Sequence, residues 1–583
     1  MRSIARLFTF LKPYRGQAIT AMVLLLGMVG SDLLIPRLTQ RIIDQGIAHS
    51  DLGVVLTTSL LMLGAALLAA LFALGNNAFS VRVAQSVAHD IRSSLVRKVQ
   101  SFSFGNLDEL RVGNLITRST SDVNMVQTIV MMSLRILTRA PVWIIGSVTM
   151  LILTSPQLAL MMAAFVPIIV LFVVWFARKA QPMFSWVQRR LDRLNTVLQE
   201  NLAGVRVVKA FVRERHEIKR FDAANVELTD ENIRIMRLVA ILLPTMTVIL
   251  NLGVAGAIWL GGRATLIGDM TVGQVVASIN YLMFAMFPLM MLAGMLGPIA
   301  AANASARRIL EILDAEPHVK QRPNARVLTS PRGRIVFEEV CFSYNGDCDE
   351  PVLAGVHFVA EPGETVALLG ATGSGKSTLI HLIPRFYDVT RGRITFDGVD
   401  LRALDLRSLR SHIGIALQDA VLFGGTVREN LIYGRADATD DQIAGAVEAA
   451  QAAEFIAALP DGLDTMIGQR GVTLSGGQRQ RLAIARALLV QPKVLILDDS
   501  TSAVDIETEV RLQDALDQLI AESAHTTTRF IIAQRISTVL LADKILVLDA
   551  GQIESCGTHA ELLERSPIYR EIYESQLGEG GTV

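Results

Sequence analysis

Cysteine is scarce in this chain: Cys341, Cys348 and Cys556 are the three in 583 residues. An odd, sparse set makes no disulfide framework. With no His pair beside them, zinc is not expected, and free thiols in a reducing compartment are. Charge is short as well, at 19% of residues, where a soluble globular protein carries about a quarter. Formal net charge is zero, so no basic footprint calls for a nucleic-acid partner. A cleaved leader is not expected either. Met1–Arg15 interleaves Arg2, Arg6, Lys12 and Arg15 with Leu7, Phe8, Phe10 and Leu11, a pattern that suits a short amphipathic segment on the inner membrane surface.

Apolar residues are what the chain has in excess. They make up 51% of it, mean hydropathy is +0.41, and the surplus lies in the first half. The length suggests several domains. Runs long enough to cross a bilayer, which takes roughly 20 residues, occur at Gln17–Pro36, Val54–Leu74, Ala140–Leu153, Leu158–Phe176, Leu238–Leu260 and Val272–Ala302. The third is the weakest, because Arg135 and Arg139 stand at its start. Asp32 lies inside the first run. Near its outer end it is expected to meet water, the alternative being a functional intramembrane acid.

The loops set the orientation. Arg82, Arg92, Arg97, Lys98, Arg111 and Arg118 separate spans two and three, and a denser basic set from Arg178 to Arg237 separates spans four and five. The opposite connections are short. Excess Lys and Arg mark the cytoplasmic side, so both ends and both long connections are expected inside. Few Gly or Pro residues interrupt those connections. Spans two to five are therefore expected to continue as helices and to turn at tips near Ser103–Glu109 and Val205–Arg213.

Pro317, Pro323 and Pro331 mark a linker, after which strands alternate with helices. The expected division is 1–15, an amphipathic elbow; 16–315, a six-helix transmembrane domain; 316–333, a linker; and 334–583, an α/β nucleotide-binding domain. Gly370-Ala371-Thr372-Gly373-Ser374-Gly375-Lys376-Ser377 fills the phosphate-loop pattern in every position. The strand Thr365–Leu369 precedes it, and a helix from Thr378 follows. Glycines let the backbone wrap a phosphate with its N–H groups inward. Lys376 reaches the β- and γ-phosphates, and Ser377 is placed for Mg²⁺. Val494–Leu497 reads as a buried strand ending in Asp498 and Asp499. An acid at that strand end can hold Mg²⁺.

Leu474-Ser475-Gly476-Gly477-Gln478, with Arg479-Gln480-Arg481 after it, resembles the signature of ATP-binding cassette proteins. The resemblance covers the whole chain and is to an exporter-type half-transporter: a membrane all-α domain of six long helices followed by an α/β P-loop cassette. It implies ATP and Mg²⁺ as cofactors, a membrane location and a second half-transporter as partner. By the same resemblance Tyr344 stacks on adenine, Gln418 senses Mg²⁺, Ser475–Gln478 face the partner's nucleotide, and Asp505 lies in the loop crossing the dimer interface. Gly204–Phe211 resembles the second coupling segment. Thr465–Gly471 resembles the exporter-specific loop that touches it, with Gln469 where Glu is usual.

Two departures concern one site. The residue after Asp498 is Asp499, where the family places a glutamate as general base. Gln534 stands where the family has a histidine that contacts the γ-phosphate. A carboxylate one methylene short is drawn back by roughly 1.5 Å, and misplacement near 1 Å can cost about a hundredfold in rate. A glutamine amide carries neither a proton nor a charge. The chain thus resembles the degenerate-site subunit of heterodimeric multidrug-type exporters, binding ATP through Thr378 and the loop before it but turning it over slowly. An importer of an iron chelate, a homodimeric lipid flippase and an ATP-gated regulator stay open as alternatives. The expected cargo is a hydrophobic or amphipathic solute, met by analogy around Asn251, Asn280, Tyr281 and Phe284 unless these only pack helices.

Overall fold

The computed structural model describes residues 2–110, 112–347, 349–468, 471–500, 506–522, 526–532 and 535–577. Two compact units divide the chain. One holds 1–100 and 112–315; the other holds 316–583 together with 101–111.

The first unit is helical throughout. Its long helices are Arg15–Arg41, Leu52–Gln100, Arg139–Thr154, Pro156–Ala203, Glu214–Ile267 and Val272–Gly294. Five stretches among the described residues are long and apolar enough to cross a membrane, and Val272–Ala285 is a shorter apolar helix. The third expected span starts within a longer stretch, Gly113–Thr154. At 1.5 Å per residue the Leu52–Gln100 helix is about 73 Å long, far more than a hydrocarbon core needs.

Burial explains why these helices need lipid. Leu56, Leu60, Leu63, Leu67, Leu71 and Leu74 recur every three or four residues on one helix face and are all exposed. In water such a stripe would be an aggregation patch. Here the helix ladder satisfies the backbone and the leucines can meet acyl chains. Between helices, small residues allow close approach: a Cβ at Gly75 would press into Leu24, and one at Gly27 into the Phe72 ring. The buried Asn76 amide donates to the Ala21 carbonyl at 2.8 Å. Helix ends follow local chemistry. Ser155 accepts from Leu158 N, with Pro156 opening the helix, and Gly268 closes the Glu214–Ile267 helix at φ +89°.

The second unit is an α/β domain. Its strands are β1 (Ile335–Phe342), β2 (Leu353–Ala360), β3 (Thr365–Gly370), β4 (Arg391–Phe396), β5 (Val399–Asp400), β6 (Ile413–Ala416), β7 (Gly425–Thr426), β8 (Met466–Ile467), β9 (Val494–Asp498), β10 (Thr528–Ile532), β11 (Lys544–Asp549) and β12 (Gln552–Gly557). One sheet has the order β2-β1-β4-β5 and another β12-β11-β3-β10-β9-β6. In the latter, all neighbours are parallel except the edge pair β11–β12. Alternate residues feed two cores. Val366, Leu368, Val494 and Ile496 join one, while Ala367, Leu369, Leu495 and Leu497 join the other. A sheet covered on both faces requires such unbroken apolar strands.

The six-residue helix Phe104–Glu109 is part of this unit. Alone it is too short to persist in water. Asn106 anchors it from the inside: its amide donates to the Glu316 carbonyl at 3.0 Å, and its oxygen accepts from Ser103 N, Ser103 Oγ and His318 N. Phe104 stacks on Phe386 with ring centroids 4.0 Å apart. The Tyr387 hydroxyl donates to Asp108 at 2.6 Å. Burial and that carboxylate push the Tyr387 phenol well above its ordinary range. The other expected tip falls on the helix Val205–Ala210.

Candidate nucleotide site and relatives

The parallel strands β3, β6, β9 and β10 end along one edge of the sheet, the usual crevice of open α/β folds. There a cavity of about 830 Å³ is lined by the loop Gly370–Gly373, by Gly375–Thr378, and by Gln418, Asp498 and Asp499. Its walls suit a phosphate chain. Gly370 and Gly375 have φ of +148° and +99°. A Cβ on Gly370 would strike the Leu548 carbonyl, and one on Gly375 would strike Leu353. Only glycine fits either place. Lys376 donates to the carbonyls of Gly370 and Ala371 at 2.8 Å each. Burial lowers its ammonium below the usual lysine range, against the pull of Asp499 and Asp498.

Ser377 and Asp498 come from different elements and meet: Ser377 Oγ donates to Asp498 Oδ1 at 3.0 Å. The other oxygen, Oδ2, lies 3.3 Å from His381 Nε2. Asp499 is buried beside them, and the Gln418 amide donates to its Oδ2 at 3.3 Å. Burial first, then the neighbouring Asp498 charge, raises the Asp499 carboxyl above its ordinary range. Asp499 has φ +47°, a left-handed conformation that aspartate tolerates better than most residues.

Other expected site residues stand apart. Ser475 caps the helix Gly476–Leu489 in a reciprocal box with Gln478. Ser475 is exposed, and none of Ser475, Gly476, Gly477 and Gln478 lines the cavity. Tyr344 is half-exposed, edge-on to Phe342 and Tyr387, with its hydroxyl 3.0 Å from Thr378 Oγ1. Gln469, Asp505 and Gln534 lie outside the described residues, as does Cys348.

Several residues were not singled out by sequence reasoning. His381 is one, yet it lies four residues after Ser377 on one helix, and that spacing puts both on the face toward Asp498. The C-terminal helix Pro567–Leu577 is another source: Glu571 and Gln576 line the cavity, and Gln576 Oε1 accepts from Ile536 N at 2.7 Å. No local pattern announces that contact. In the helical unit, Tyr281 is wholly buried and donates to the Leu33 carbonyl at 3.0 Å, so it packs helices. Asn280 donates within its own helix, to the Val276 carbonyl. Asp32 does not simply face water: it sits 3.7 Å from Arg139.

A membrane unit of long helices followed by a P-loop α/β unit defines an ATP-binding transport protein, and comparison gives the family. Residues 18–289 match the ABC transporter transmembrane region and residues 353–502 the ABC transporter family. The chain is 40% identical over 579 residues to YfiB of Bacillus subtilis (strain 168), an uncharacterized ABC transporter ATP-binding protein, covering 98% of this chain and 99% of that one. It is 38% identical over 540 residues to the multidrug efflux ATP-binding/permease protein Rv0194 of Mycobacterium tuberculosis (strain ATCC 25618 / H37Rv), covering 93% of this chain and 44% of that protein. The solved structure of a bacterial Atm1-family ABC exporter with ATP bound matches with a TM-score of 0.82 at 29% identity, covering 97% of this chain and 99% of that one. The chain belongs to the ABC transporter family and is an exporter-type half-transporter. It is a membrane protein with a cytoplasmic ATP-binding domain.

Proposed function

We propose that this half-transporter is the nucleotide-retaining subunit of a heterodimeric exporter of hydrophobic or amphipathic solutes. One observation carries the reading: the carboxylate after Asp498 belongs to an aspartate, Asp499, which the Gln418 amide reaches. Its raised proton affinity suits a base, but its length does not. A glutamate there would reach about 1.5 Å further toward an attacking water. Gln534, in the sequence position of the family's histidine, weakens the same site. The binding parts are complete. Gly370–Thr378 cradle the phosphates, and Lys376 turns from its carbonyls to them.

Ser377, Asp498 and Gln418 offer hydroxyl, carboxylate and amide oxygens, a donor set that fits Mg²⁺. When bound, the ion would supply positive charge against the β- and γ-phosphates. Ser475–Gln478, with Ser475 exposed, would serve the nucleotide of the other subunit, and the helix N-terminus there favours an anion. The efflux relative supports export. The partner is a second, non-identical half-transporter that carries the glutamate and the histidine.

The test is ATPase activity and nucleotide retention in the purified chain, alone and with candidate partners encoded beside it. Slow release of tightly held ATP by the lone chain, with fast turnover on pairing, is expected. Brisk hydrolysis by the lone chain rejects the reading.

A further inference from the structure

The helical unit contains two cavities that share one wall. The first, of about 360 Å³, is lined by Asn76, Asn77, Arg135, Arg139 and Trp143 among others. The second, of about 410 Å³, is lined by apolar groups including Met246, Leu250, Phe284 and Phe287. Trp143 belongs to both, and its ring stacks on Phe284 at 5.8 Å. One chamber sets two arginines and two asparagines in an otherwise apolar wall, and the other is apolar and aromatic, with the indole between them.

The charges do not cancel. Asp32 faces Arg139 at 3.7 Å, too long for a hydrogen bond. The Arg139 guanidinium lies 4.0 Å above the Trp143 ring, and its buried Nε has no hydrogen-bond partner. Arg135, four residues earlier on the same helical stretch, has no ion-pair partner among the described residues. Two arginines against one aspartate leave one positive charge. Intramembrane cations are costly and persist where they pair or serve a pathway. Simple snorkelling would carry Arg139 away from the indole to water. Instead the guanidinium is stacked and under-bonded beside an apolar chamber.

We propose that these chambers form one binding site for an amphipathic anion, with its acidic head at Arg135 and Arg139 and its apolar body against Phe284 and Phe287. This names the solute class of the export reading and rests on it. The head could belong to a free amphiphile or to an anionic lipid; both share this chemistry.

Binding can be read without ATP. The chain has four tryptophans, and Trp175, Trp186 and Trp259 are all exposed. Replacing those three with phenylalanine leaves Trp143 as the energy donor to a pyrene acceptor. In phosphatidylcholine nanodiscs, 1-pyrenebutyrate is expected to bind at least tenfold more tightly than its trimethylammonium counterpart. Arg135→Gln should cut that preference at least fivefold, and Arg135→Lys should restore most of it. The Asp32→Asn/Arg139→Gln double variant should weaken the anion without orphaning a carboxylate. Displacement by added phosphatidylglycerol marks a lipid head as a ligand, whereas no displacement marks a free amphiphile. Equal or tighter binding of the cation by the Trp143-only protein overturns the proposal, whether or not the variants fold. So does an anion preference that Arg135→Gln leaves intact. A fast ATPase in the lone chain would reject the slow-site reading and leave this result untouched.

Discussion

The Gln418 amide nitrogen and Asp499 Oδ2 lie 3.3 Å apart, joining the loop after β6 to the end of β9. At that length the bond is weak, and it holds one oxygen of the carboxylate. The catalytic question for this chain is therefore one of reach. Asp499→Glu should raise ATP hydrolysis by the lone chain about tenfold or more, as measured by phosphate release. The left-handed backbone at position 499 works against the longer side chain, so the gain should fall short of a full glutamate–histidine site. An unchanged rate would show that side-chain length is not what slows the site.

Lys376 is held by two loop carbonyls at 2.8 Å, bonds that phosphate oxygens can replace. Lys376→Ala should weaken binding of a fluorescent ATP analogue by at least tenfold. Ser377→Ala should instead leave Mg²⁺-free binding near its original strength and remove the Mg²⁺-dependent part. Equal losses with and without Mg²⁺ would contradict the ion-binding role of Ser377.

Asn106 is buried and uses both ends of its amide. Asn106→Ala removes the donor to the Glu316 carbonyl and the acceptor for His318 N, a loss of about 1 kcal/mol each. Faster hydrogen exchange over 101–110 is expected, with ATP binding retained. In the paired transporter, substrate stimulation of ATPase should fall more than basal ATPase. Protection unchanged from wild type would remove Asn106 from the anchoring role.

His559 and Tyr569 hold the C-terminal helix, with His559 Nδ1 2.7 Å from the Tyr569 hydroxyl. Burial keeps His559 below the usual histidine range and pushes Tyr569 up to about 12. A depressed histidine contributes stability that is present above its unfolded pKa, about 6.5, and lost as pH falls through the folded value. A raised tyrosine contributes stability present below about 10 and lost as pH rises toward about 12. Docking of Pro567–Leu577 should thus be firmest between those limits, read by protease sensitivity across pH. Tyr569→Phe should abolish the alkaline limb and keep the acid one. An alkaline limb that survives Tyr569→Phe would assign it elsewhere.

Local pattern made much of this protein legible in one dimension. Apolar runs show which stretches need lipid, since a helix satisfies its own backbone and the length of the run is the span. Gly370–Ser377 announces its cradle because the glycines and Lys376 act within eight consecutive residues. Ser475 and Gln478 cap their helix by the same short-range logic. The departure at Asp499 is likewise written in one letter.

Contacts between distant segments were not legible. Arg135, Arg139 and Asp32 read only as charges interrupting spans, because no sequence spacing relates residue 32 to residue 139. Tyr281 looked available to a solute until packing turned its hydroxyl to the Leu33 carbonyl. Gln576 reaches Ile536 across a chain separation that carries no periodic signal. Sequence alone determined the segments and their chemistry, since each depends on neighbours within a turn or a strand. Tertiary structure alone decided which buried polar groups meet, because those pairings are set by how whole helices and strands pack.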